Sequence, residues 1–439
     1  MKNKGSILIQ AIVFTAIFLI IVAGLLQYVT ILNKSATNEQ NREKAFEIAE
    51  SGIDYYQWVL THDKEDYCDG HTPCDKSPGT ERGPYEHEFK DPMGSVIGHY
   101  QIWITEPEIG GVVVTVKSEG YLDSNPSYKR KVQAKLGIPT IADYMFLCNS
   151  NMSFSSTSEV FGKVHSNGGI NFNGINHSAV ASARETYEYT PGRTEPGVWG
   201  NGGPQELWEF PVDWIEFSNF QANLTNLKNE AIANGIFLDS ITDDGYHLTF
   251  QNTGTIVINK VTRSSTIIGI MRETYYNTVP MPANGLIFVQ DDVWVDGTVN
   301  GRATIAAGKF SSMEKANIKI NGNITYNTGM GTDVLGLLAE KDVEIGVWCP
   351  DHTIIYAAML AQEGRIYRNL QNNSVKDRID IYGSMIFNLE GWVKGTYHGR
   401  FTGYRETSYN YDSNLLQNPP PFFPSPTLEN YEILSWQEI

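Results

Sequence analysis

Positive charge is scarce in this sequence. Its 33 Lys and Arg residues are outnumbered by 50 Asp and Glu residues, which gives a formal net charge of -17 over 439 residues. Nucleic-acid binding needs clustered Lys and Arg side chains that neutralise phosphates, so the acidic balance excludes nucleic acid as a partner. The surplus of carboxylates favours solubility and indicates little else.

Signatures of common enzymes and of bound cofactors are absent as well. The sequence has no zinc-protease HExxH motif, no phosphate-binding loop, no GxSxG nucleophile elbow and no glycine-rich dinucleotide fingerprint. Its nine histidines are dispersed along the chain. We therefore expect no cofactor and no enzymatic activity.

One long segment lacks charge altogether. The 29 residues from Gly5 to Asn33 exceed the apolar core of a cleaved secretory signal, which has about 7–15 residues. As a helix rising about 1.5 Å per residue, the segment would be about 40 Å long, enough to cross about 30 Å of bilayer hydrocarbon. Because Lys2 and Lys4 precede it, the N-terminus should stay in the cytoplasm. The sequence predicts a single-pass protein of the cytoplasmic membrane, with the chain after about Lys34 outside the cytoplasm.

Helical periodicity continues beyond the span, so that one rod is expected over residues 6–62. Its apolar positions after the span are Phe46, Ala49, Ile53, Tyr56 and Leu60. Residues 63–138 then predict a small antiparallel β subdomain, with three strands between Val96 and Gly137. We expect this meander to cover the apolar stripe of the helix.

The N-terminus resembles that of the PilX-type minor pilins, in the type IV pilin superfamily. The resemblance rests on the basic leader "MKNKG", the apolar helix from Ser6 and the stretch "ATNEQNREKAFEIAESGI". It implies a leader at residues 1–5, cleavage between Gly5 and Ser6 by a prepilin peptidase, and methylation of the new terminus. It also implies assembly with other pilin-like subunits by a pilus or type II secretion-like machinery.

Two positions depart from the pattern of the major pilins. Ser6 stands where Phe is usual, and Gln10 stands where Glu is usual. In a filament that glutamate can neutralise the N-terminal ammonium of a neighbouring subunit and offset the cost of burying it, whereas glutamine brings no charge. Gln10 therefore fits an initiating, tip or anchored subunit better than a repeating one. A plain single-span anchor is the alternative.

Four cysteines are present, and two are close neighbours. Cys68 and Cys74 in "CDGHTPC" favour a disulfide outside the cytoplasm. The alternative is a metal site that includes His71, but two cysteines and one histidine fall short of a four-ligand zinc set. The sequence leaves open whether Cys148 and Cys349 pair.

Glycine-ended strands characterise residues 139–405. The motifs "VWVDG", "IKING", "VEIG" and "IDIYG" end at Gly297, Gly322, Gly346 and Gly383, at intervals of 25, 24 and 37 residues. Nearly equal steps are typical of a β-solenoid, here one like a right-handed parallel β-helix, with "RNLQNNSVKDR" as an insertion in the longer interval. A sandwich of short strands is the alternative.

Two further segments complete the predicted architecture, which is mainly β. Residues 211–235 predict an inserted helix that covers the end or flank of the solenoid. Residues 406–439 contain five prolines between Pro419 and Pro426, so they should run extended over the surface. Together with "GLLAEKDVEIG" and "AAMLAQEGRI", this tail resembles an uncharacterised bacterial domain found behind pilin-like N-termini.

Two groups of carboxylates could carry chemistry in the solenoid. They are Asp291, Asp292 and Asp296, and Glu340, Asp342 and Glu344. Either group could supply paired catalytic carboxylates or weak calcium ligands. Acids at turns and strand ends are also common for backbone reasons alone, which requires no site.

Two functional hypotheses follow from the sequence. The first is a non-enzymatic pilin-like surface subunit that takes part in filament assembly or adhesion, in the membrane, at the cell surface or in a pilus. The second is a membrane-tethered β-helix enzyme that acts on surface glycans. An exposed row of aromatic side chains beside two carboxylates would favour the second.

Overall fold

The structure is a computed structural model that describes residues 5–74, 77–107, 111, 113–137, 141–220, 222–310, 313–370, 374–424 and 430–439. The chain forms two compact units. The N-terminal unit comprises Met1–Glu106, Thr115–Lys135 and Ser435–Ile439, and the head unit comprises Pro107–Val114 and Leu136–Leu434. The predicted fold class, mainly β with a long N-terminal helix, is confirmed.

The N-terminal unit is built on one continuous helix, α1, from Gly5 to His62. No proline interrupts this segment, which lets the helix run for 58 residues. The adjoining antiparallel sheet has, in spatial order, the strands Glu81–Lys90, Val96–Thr105, Val113–Leu122, Asn125–Gly137 and Glu432–Glu438.

The second half of α1 packs on this sheet through an apolar stripe. The stripe consists of Ala45, Ile48, Ala49, Ile53, Tyr56 and Leu60, all at most 1% exposed. The helix and sheet approach closely at Gly120, where an added Cβ would lie 2.4 Å from the carbonyl oxygen of Ala45 and from the nitrogen of Ala49. Only glycine fits there, and it sets the helix against the sheet.

The sequence predicts three strands in this sheet, and the structure has two more. Glu81–Lys90 reads "ERGPYEHEFK" and is mostly exposed or half-buried, so it has no clear apolar alternation. The strand Glu432–Glu438 lies in the segment predicted to run extended over the surface. Its Trp436 ring packs edge-on against Phe46 of α1, with centroids 5.7 Å apart.

The head unit is a solenoid of parallel strands arranged on three faces, which we call A, B and C. Face A has, in stacking order, Ile236–Leu238, Leu286–Val289, Arg302–Ala307, Val334–Ala339, His352–Ala361, Val375–Phe387, Phe146–Cys148, Val164–Ser166, Val180–Ser182 and Trp208–Glu209. Face B has Gly245–Gln251, Val293–Val299, Ile318–Tyr326, Val343–Ile345 and Ile366–Arg368. Face C has Ile318–Tyr326, His352–Ala361, Val375–Phe387, Arg400–Tyr411, Ser158–Phe161 and Ile175–Asn176.

The coils of the solenoid do not stack in chain order. The strands of residues 146–209, which come first along the chain, continue the stack beyond the last C-terminal coil. On face A, Met385 pairs with Phe146, and on face C, Thr407 pairs with Ser158. We call this junction between early and late coils the seam.

Because the early coils lie at one end of the stack, the chain must return to the other end before residue 236. Residues 210–235, the return segment, make this connection. Its hydrogen bonds along the stack run from Ile215 N to Asn167 Oδ1 (3.0 Å), from Ala222 N to Gln362 Oε1 (2.5 Å) and from Lys228 Nζ to Gln290 Oε1. The acceptors directly follow the face A strands Val164–Ser166, His352–Ala361 and Leu286–Val289, which lie three strands apart in the stack. The segment therefore runs along the corner of the solenoid.

The helix predicted over residues 211–235 is therefore shorter than expected. Helix α2 spans Leu224–Asn234, starts at Asn223, whose side chain accepts from Asn226 N, and ends before Gly235. The residues before it contain the short 3-10 turn Phe217–Phe220. Extended chain covers about 3.3 Å per residue against about 1.5 Å in a helix, so a chain that must return along the stack cannot be helical throughout.

The outer surface of face A is covered by a second apolar layer. Leu227 and Ala231 of α2 pack with Leu286 and Phe288 of the strands. The C-terminal segment, after the short helix Asn414–Gln417, adds Phe423 to this layer. The proline-rich stretch packs into this layer, where Pro419, Pro420 and Pro421 are buried and Pro419 O accepts from the Arg302 guanidinium at 2.9 Å. Residues 425–429 lie outside the described part of the chain.

The interval of 37 residues that predicted an insertion has another origin. On face B the register partners are Val293, Ile318, Val343 and Ile366, at steps of 25, 25 and 23 residues. The fourth coil has no glycine-ended motif, whereas Gly383 lies on face C and pairs with Ala357. The proposed insertion "RNLQNNSVKDR" is wrong, since its described residues include the end of one strand and the start of another; residues 371–373 lie outside the description.

The remaining strands are antiparallel additions or a separate small sheet. Thr255–Ser265 and Gly269–Pro280 extend the end of the stack next to Gly245–Gln251. Thr186–Thr190 and Arg193–Pro196 form a hairpin, and Lys394–Tyr397 pairs with Arg400–Tyr411. Met152–Phe154, Ile170–Phe172 and Val198–Trp199 form a parallel sheet of their own, in the early coils.

Candidate functional site

The first half of α1 is an exposed apolar surface. Ile17, Phe18, Leu19, Ile20 and Ile21 are consecutive and 49–73% exposed, so the apolar surface extends around the helix. By length and composition α1 can cross a membrane, with a mean hydropathy of 2.7 in its most apolar window. Such a surface needs lipid or other apolar helices around it.

The predicted processing positions lie at the start of this helix. The described backbone is helical from Gly5 onward, and Ser6 follows within the helix. Leader residues 1–4 lie outside the described chain. Gln10 is exposed on the helix, so a neighbouring polar group could reach its amide.

A disulfide joins Cys68 and Cys74, as the sequence analysis expects. Between them, Asp69 accepts hydrogen bonds from the Tyr55 hydroxyl of α1 (3.0 Å) and from His87 Nε2 (2.6 Å) of the first strand. This loop therefore connects the end of α1 to the sheet. His71, the predicted alternative metal ligand, contacts backbone carbonyls of Cys68 and Asp69 instead.

We predict that this bond exists in protein taken from the cell envelope, and that removing it loosens the loop. Closing so short a loop stabilises by about 2 kcal/mol, so the double variant Cys68→Ser/Cys74→Ser should exchange amides of residues 63–74 about 30-fold faster. Non-reduced peptide mapping and hydrogen exchange measure the two effects. Cys148 and Cys349 are buried and free and serve as internal thiol controls. Free thiols at both loop positions would contradict the prediction.

Asp291 and Asp292 are held by lysines that the sequence analysis did not single out. Lys309 Nζ lies 3.3 Å from Asp291 and 3.1 Å from Asp292, and Lys319 Nζ lies 2.9 Å from Asp292. Burial alone would raise the pKa of Asp292, but the two lysines lower it below its usual range. Asp292 is therefore an ionised partner of both lysines.

Asp296 belongs to a different cluster, centred on the buried His247. Glu273 lies 2.8 Å from His247 Nδ1, and Asp296 lies 3.1 Å from its Nε2. Because both ring nitrogens face carboxylates, the imidazolium form satisfies the geometry. Burial acts to lower the pKa of His247, but the two carboxylates outweigh it and raise the pKa.

This raised pKa predicts a pH dependence of stability. A histidine whose folded pKa is raised stabilises below its unfolded value of about 6.5, and the contribution is lost as the pH rises through the folded pKa. The melting temperature should therefore fall as the pH is raised above about 6.5, and His247→Gln should lower it at acid pH and flatten this dependence. Each 1 kcal/mol corresponds to about 2–4 °C.

The matched control for this measurement is His177→Gln. His177 also faces one carboxylate, Glu159, at 3.0 Å, but both side chains are 43% exposed. An exposed pair contributes little, so this variant should retain the wild-type pH profile. Equal flattening by both variants would argue against a role for the His247 cluster.

The second group of carboxylates is dispersed in the same way. Glu340 contacts Lys315 Nζ at 2.9 Å, and Asp342 Oδ1 accepts from Arg365 N at 2.9 Å. Burial raises the pKa of Glu344. In the described part of the chain, no group of three or more His, Cys, Asp or Glu side chains is placed to hold a metal ion.

An aromatic row does lie on face C. Tyr326, Tyr356 and Tyr382 are neighbours, with ring centroids 5.1 and 4.7 Å apart. They are half-buried and pack on one another. The nearby Asp380 is held by Arg378 (2.8 Å) and His352 (2.6 Å). The carboxylate beside this aromatic row is therefore already paired with basic side chains.

A long helix with an exposed apolar first half, and a second half packed on an antiparallel sheet, defines a pilin-like N-terminus. Residues 4–54 match the family described as PilX N-terminal, so the chain carries a PilX-type pilin N-terminus. The comparison with curated proteins finds no match. Among solved structures, the competence-associated pilin ComZ from Thermus thermophilus is similar at 14% identity, covering 91% of this chain and 97% of that chain, with a TM-score of 0.36.

Proposed function

We propose that this protein is a non-enzymatic minor subunit of a type IV pilus-like filament, whose head unit contributes to assembly or adhesion. Before assembly the chain is anchored in the cytoplasmic membrane through α1, with its head unit outside the cytoplasm. A prepilin peptidase removes residues 1–5, and other pilin-like subunits then surround the apolar half of the helix.

The observation that carries this proposal is the division of α1 into two halves. Its second half is covered by the sheet, with Ile53, Tyr56 and Leu60 at most 1% exposed, whereas Phe18 and Ile20 in the first half are 64% and 73% exposed. Neighbouring apolar helices in a filament would bury that surface, and lipid would do so before assembly. The PilX N-terminal match, over residues 4–54, covers the first half of α1 and continues into the second.

Gln10 supports a minor position in the filament. Its exposed amide can accept a hydrogen bond from the N-terminus of a neighbour but supplies no charge to neutralise it. Repeating this uncompensated contact in every subunit would be costly, whereas a single subunit at a tip or base makes it once.

The test is to isolate filaments from cells that produce this protein. We expect peptides of the head unit in sheared filaments, at a small fraction of the main subunit, when the preparation is analysed by mass spectrometry. In cells that lack the main subunit, the protein should remain in the membrane fraction. If it stays entirely in the membrane of filament-producing cells, it is a plain anchor.

A further inference from the structure

The seam leaves the interior of the solenoid open on one side. Faces A and C continue across it, through the pairs Met385–Phe146 and Thr407–Ser158. On the third side, the late coils end with Trp392, which forms an isolated bridge with Tyr367. The next coil supplies Met152–Phe154, and among the described residues no strand pairing joins it to face B.

A cavity of about 250 Å³ lies at this gap. Half of its lining residues belong to the apolar core, including Phe146, Phe154, Ile366, Met385, Phe387 and Tyr409. We call it the seam pocket. Drug-sized ligands occupy cavities of about 300–1,000 Å³, so this pocket suits a smaller molecule with an apolar body.

One cation lines the seam pocket. Lys394 reaches it from the strand after Trp392, and its Nζ donates to Thr157 Oγ1 at 2.7 Å. Burial lowers the pKa of Lys394 to about 8, partly offset by the charge of Glu406. In the described chain no carboxylate forms an ion pair with this lysine. It is therefore a half-buried cation that none of the described carboxylates pairs with.

The other polar groups of the pocket do not supply an anionic partner for Lys394. Ser155 lines it with its hydroxyl, and Asn173 donates to Asn171 at 2.6 Å. Glu390, near the pocket, accepts from Ser153 at 3.4 Å, and burial raises its pKa. An acid bound beside Lys394 would therefore meet hydroxyl and amide donors as well as the ammonium group.

We propose that the seam pocket binds a small monocarboxylate with an apolar tail. The tail would occupy the cavity between the phenylalanine rings, and the carboxylate would pair with Lys394. A ligand with polar groups along its whole length would leave some of them against the phenylalanine rings without partners, and a cation would be repelled by the lysine. This binding does not depend on the role of the chain in a filament.

The probe for the test is 3-phenylpropanoate, with 3-phenylpropanamide as its uncharged counterpart. Equilibrium dialysis of the full chain in zwitterionic lipid nanodiscs should show saturable binding of one carboxylate per chain, after subtraction of binding to empty nanodiscs. The amide should bind at least tenfold more weakly, since it cannot form the ion pair. Absence of saturable binding of the carboxylate would overturn the proposal.

Variants locate the binding site. Lys394→Met should weaken binding at least tenfold, whereas Lys376→Met, which removes a lysine paired with Asp351 elsewhere on the head unit, should leave it unchanged. Ser155→Trp should block the pocket while the ammonium group remains. All variants should retain the wild-type circular dichroism spectrum. If a folded Lys394→Met or Ser155→Trp chain binds as the wild type does, the ligand lies elsewhere and the proposal is wrong.

Discussion

Replacing Gly5 with leucine should leave residues 1–5 attached to the chain and abolish its incorporation into filaments. The peptidase implied by the PilX-type N-terminus needs a small residue at the cut, and the mature chain should begin at Ser6. The variant should still enter the membrane, because the apolar half of α1 is unchanged. Its extended terminus would be displaced from the contact with neighbouring subunits. N-terminal peptide mass spectrometry, on membrane and filament fractions, measures both effects.

Gly24→Leu is the matched control. Gly24 lies in the same apolar helix, and an added Cβ there would contact nothing within 4 Å. This variant should be cleaved like the wild type, at the bond between Gly5 and Ser6. An intact leader on the wild-type protein, in cells with an active prepilin peptidase, would refute the pilin hypothesis and leave the plain anchor.

Met385→Pro should selectively destabilise the early coils of the head unit. Met385 N donates across the seam to Met145 O at 2.8 Å, and proline removes this donor from the middle of a strand. Leaving Met145 O without this partner costs about 1–3 kcal/mol, so amides of residues 146–166 should exchange about 5- to 150-fold faster. Hydrogen exchange followed by mass spectrometry resolves these residues from the rest of the stack.

The control is the same substitution one coil away. Met359 is buried like Met385 and pairs with it on face A. Since each coil of a solenoid depends chiefly on its neighbours, Met359→Pro should accelerate exchange most in residues 334–361. Unchanged protection of residues 146–166 in Met385→Pro would mean that the early coils do not depend on the late ones.

The N-terminal unit is the part that the sequence predicts best. A run of 29 uncharged residues has few alternatives to a long apolar helix. Alternation in the strand Asn125–Gly137 places Val132, Ala134 and Leu136 on one face, and all three are fully buried. Here the pattern is long enough to specify both the element and its buried side.

The stacking order of the head unit is not readable from the sequence. Phe146–Cys148 and Val164–Ser166 are strands of three residues, too short to show a period. Their inward side chains are apolar, as in every coil, so nothing local indicates that Phe146 stacks on Met385. A repeat of glycine-ended motifs indicates only that coils consecutive in the chain stack on each other. Which other coils are neighbours depends on the complete three-dimensional arrangement.

The candidate sites show the same limit. Asp292 is visible in the sequence as an acidic residue, but its partners Lys309 and Lys319 come from neighbouring segments of the stack. No motif in the sequence identifies Lys394 as a binding residue, because its place in a pocket depends on the gap between Trp392 and Met152–Phe154. Carboxylates can be identified from composition and spacing, whereas the charges that neutralise them depend on which coils are adjacent.

The seam also determines how the head unit would respond to tension. The chain passes from residues 141–145 into the strand Phe146–Cys148, which has a parallel partner on either side, Val375–Phe387 and Val164–Ser166. It leaves through Arg400–Tyr411, likewise flanked on both sides, by Val375–Phe387 and Ser158–Phe161. A force applied to the head unit through residues 141–145 or through the chain after Tyr411 would therefore load interior strands and would not peel the solenoid coil by coil from a free end.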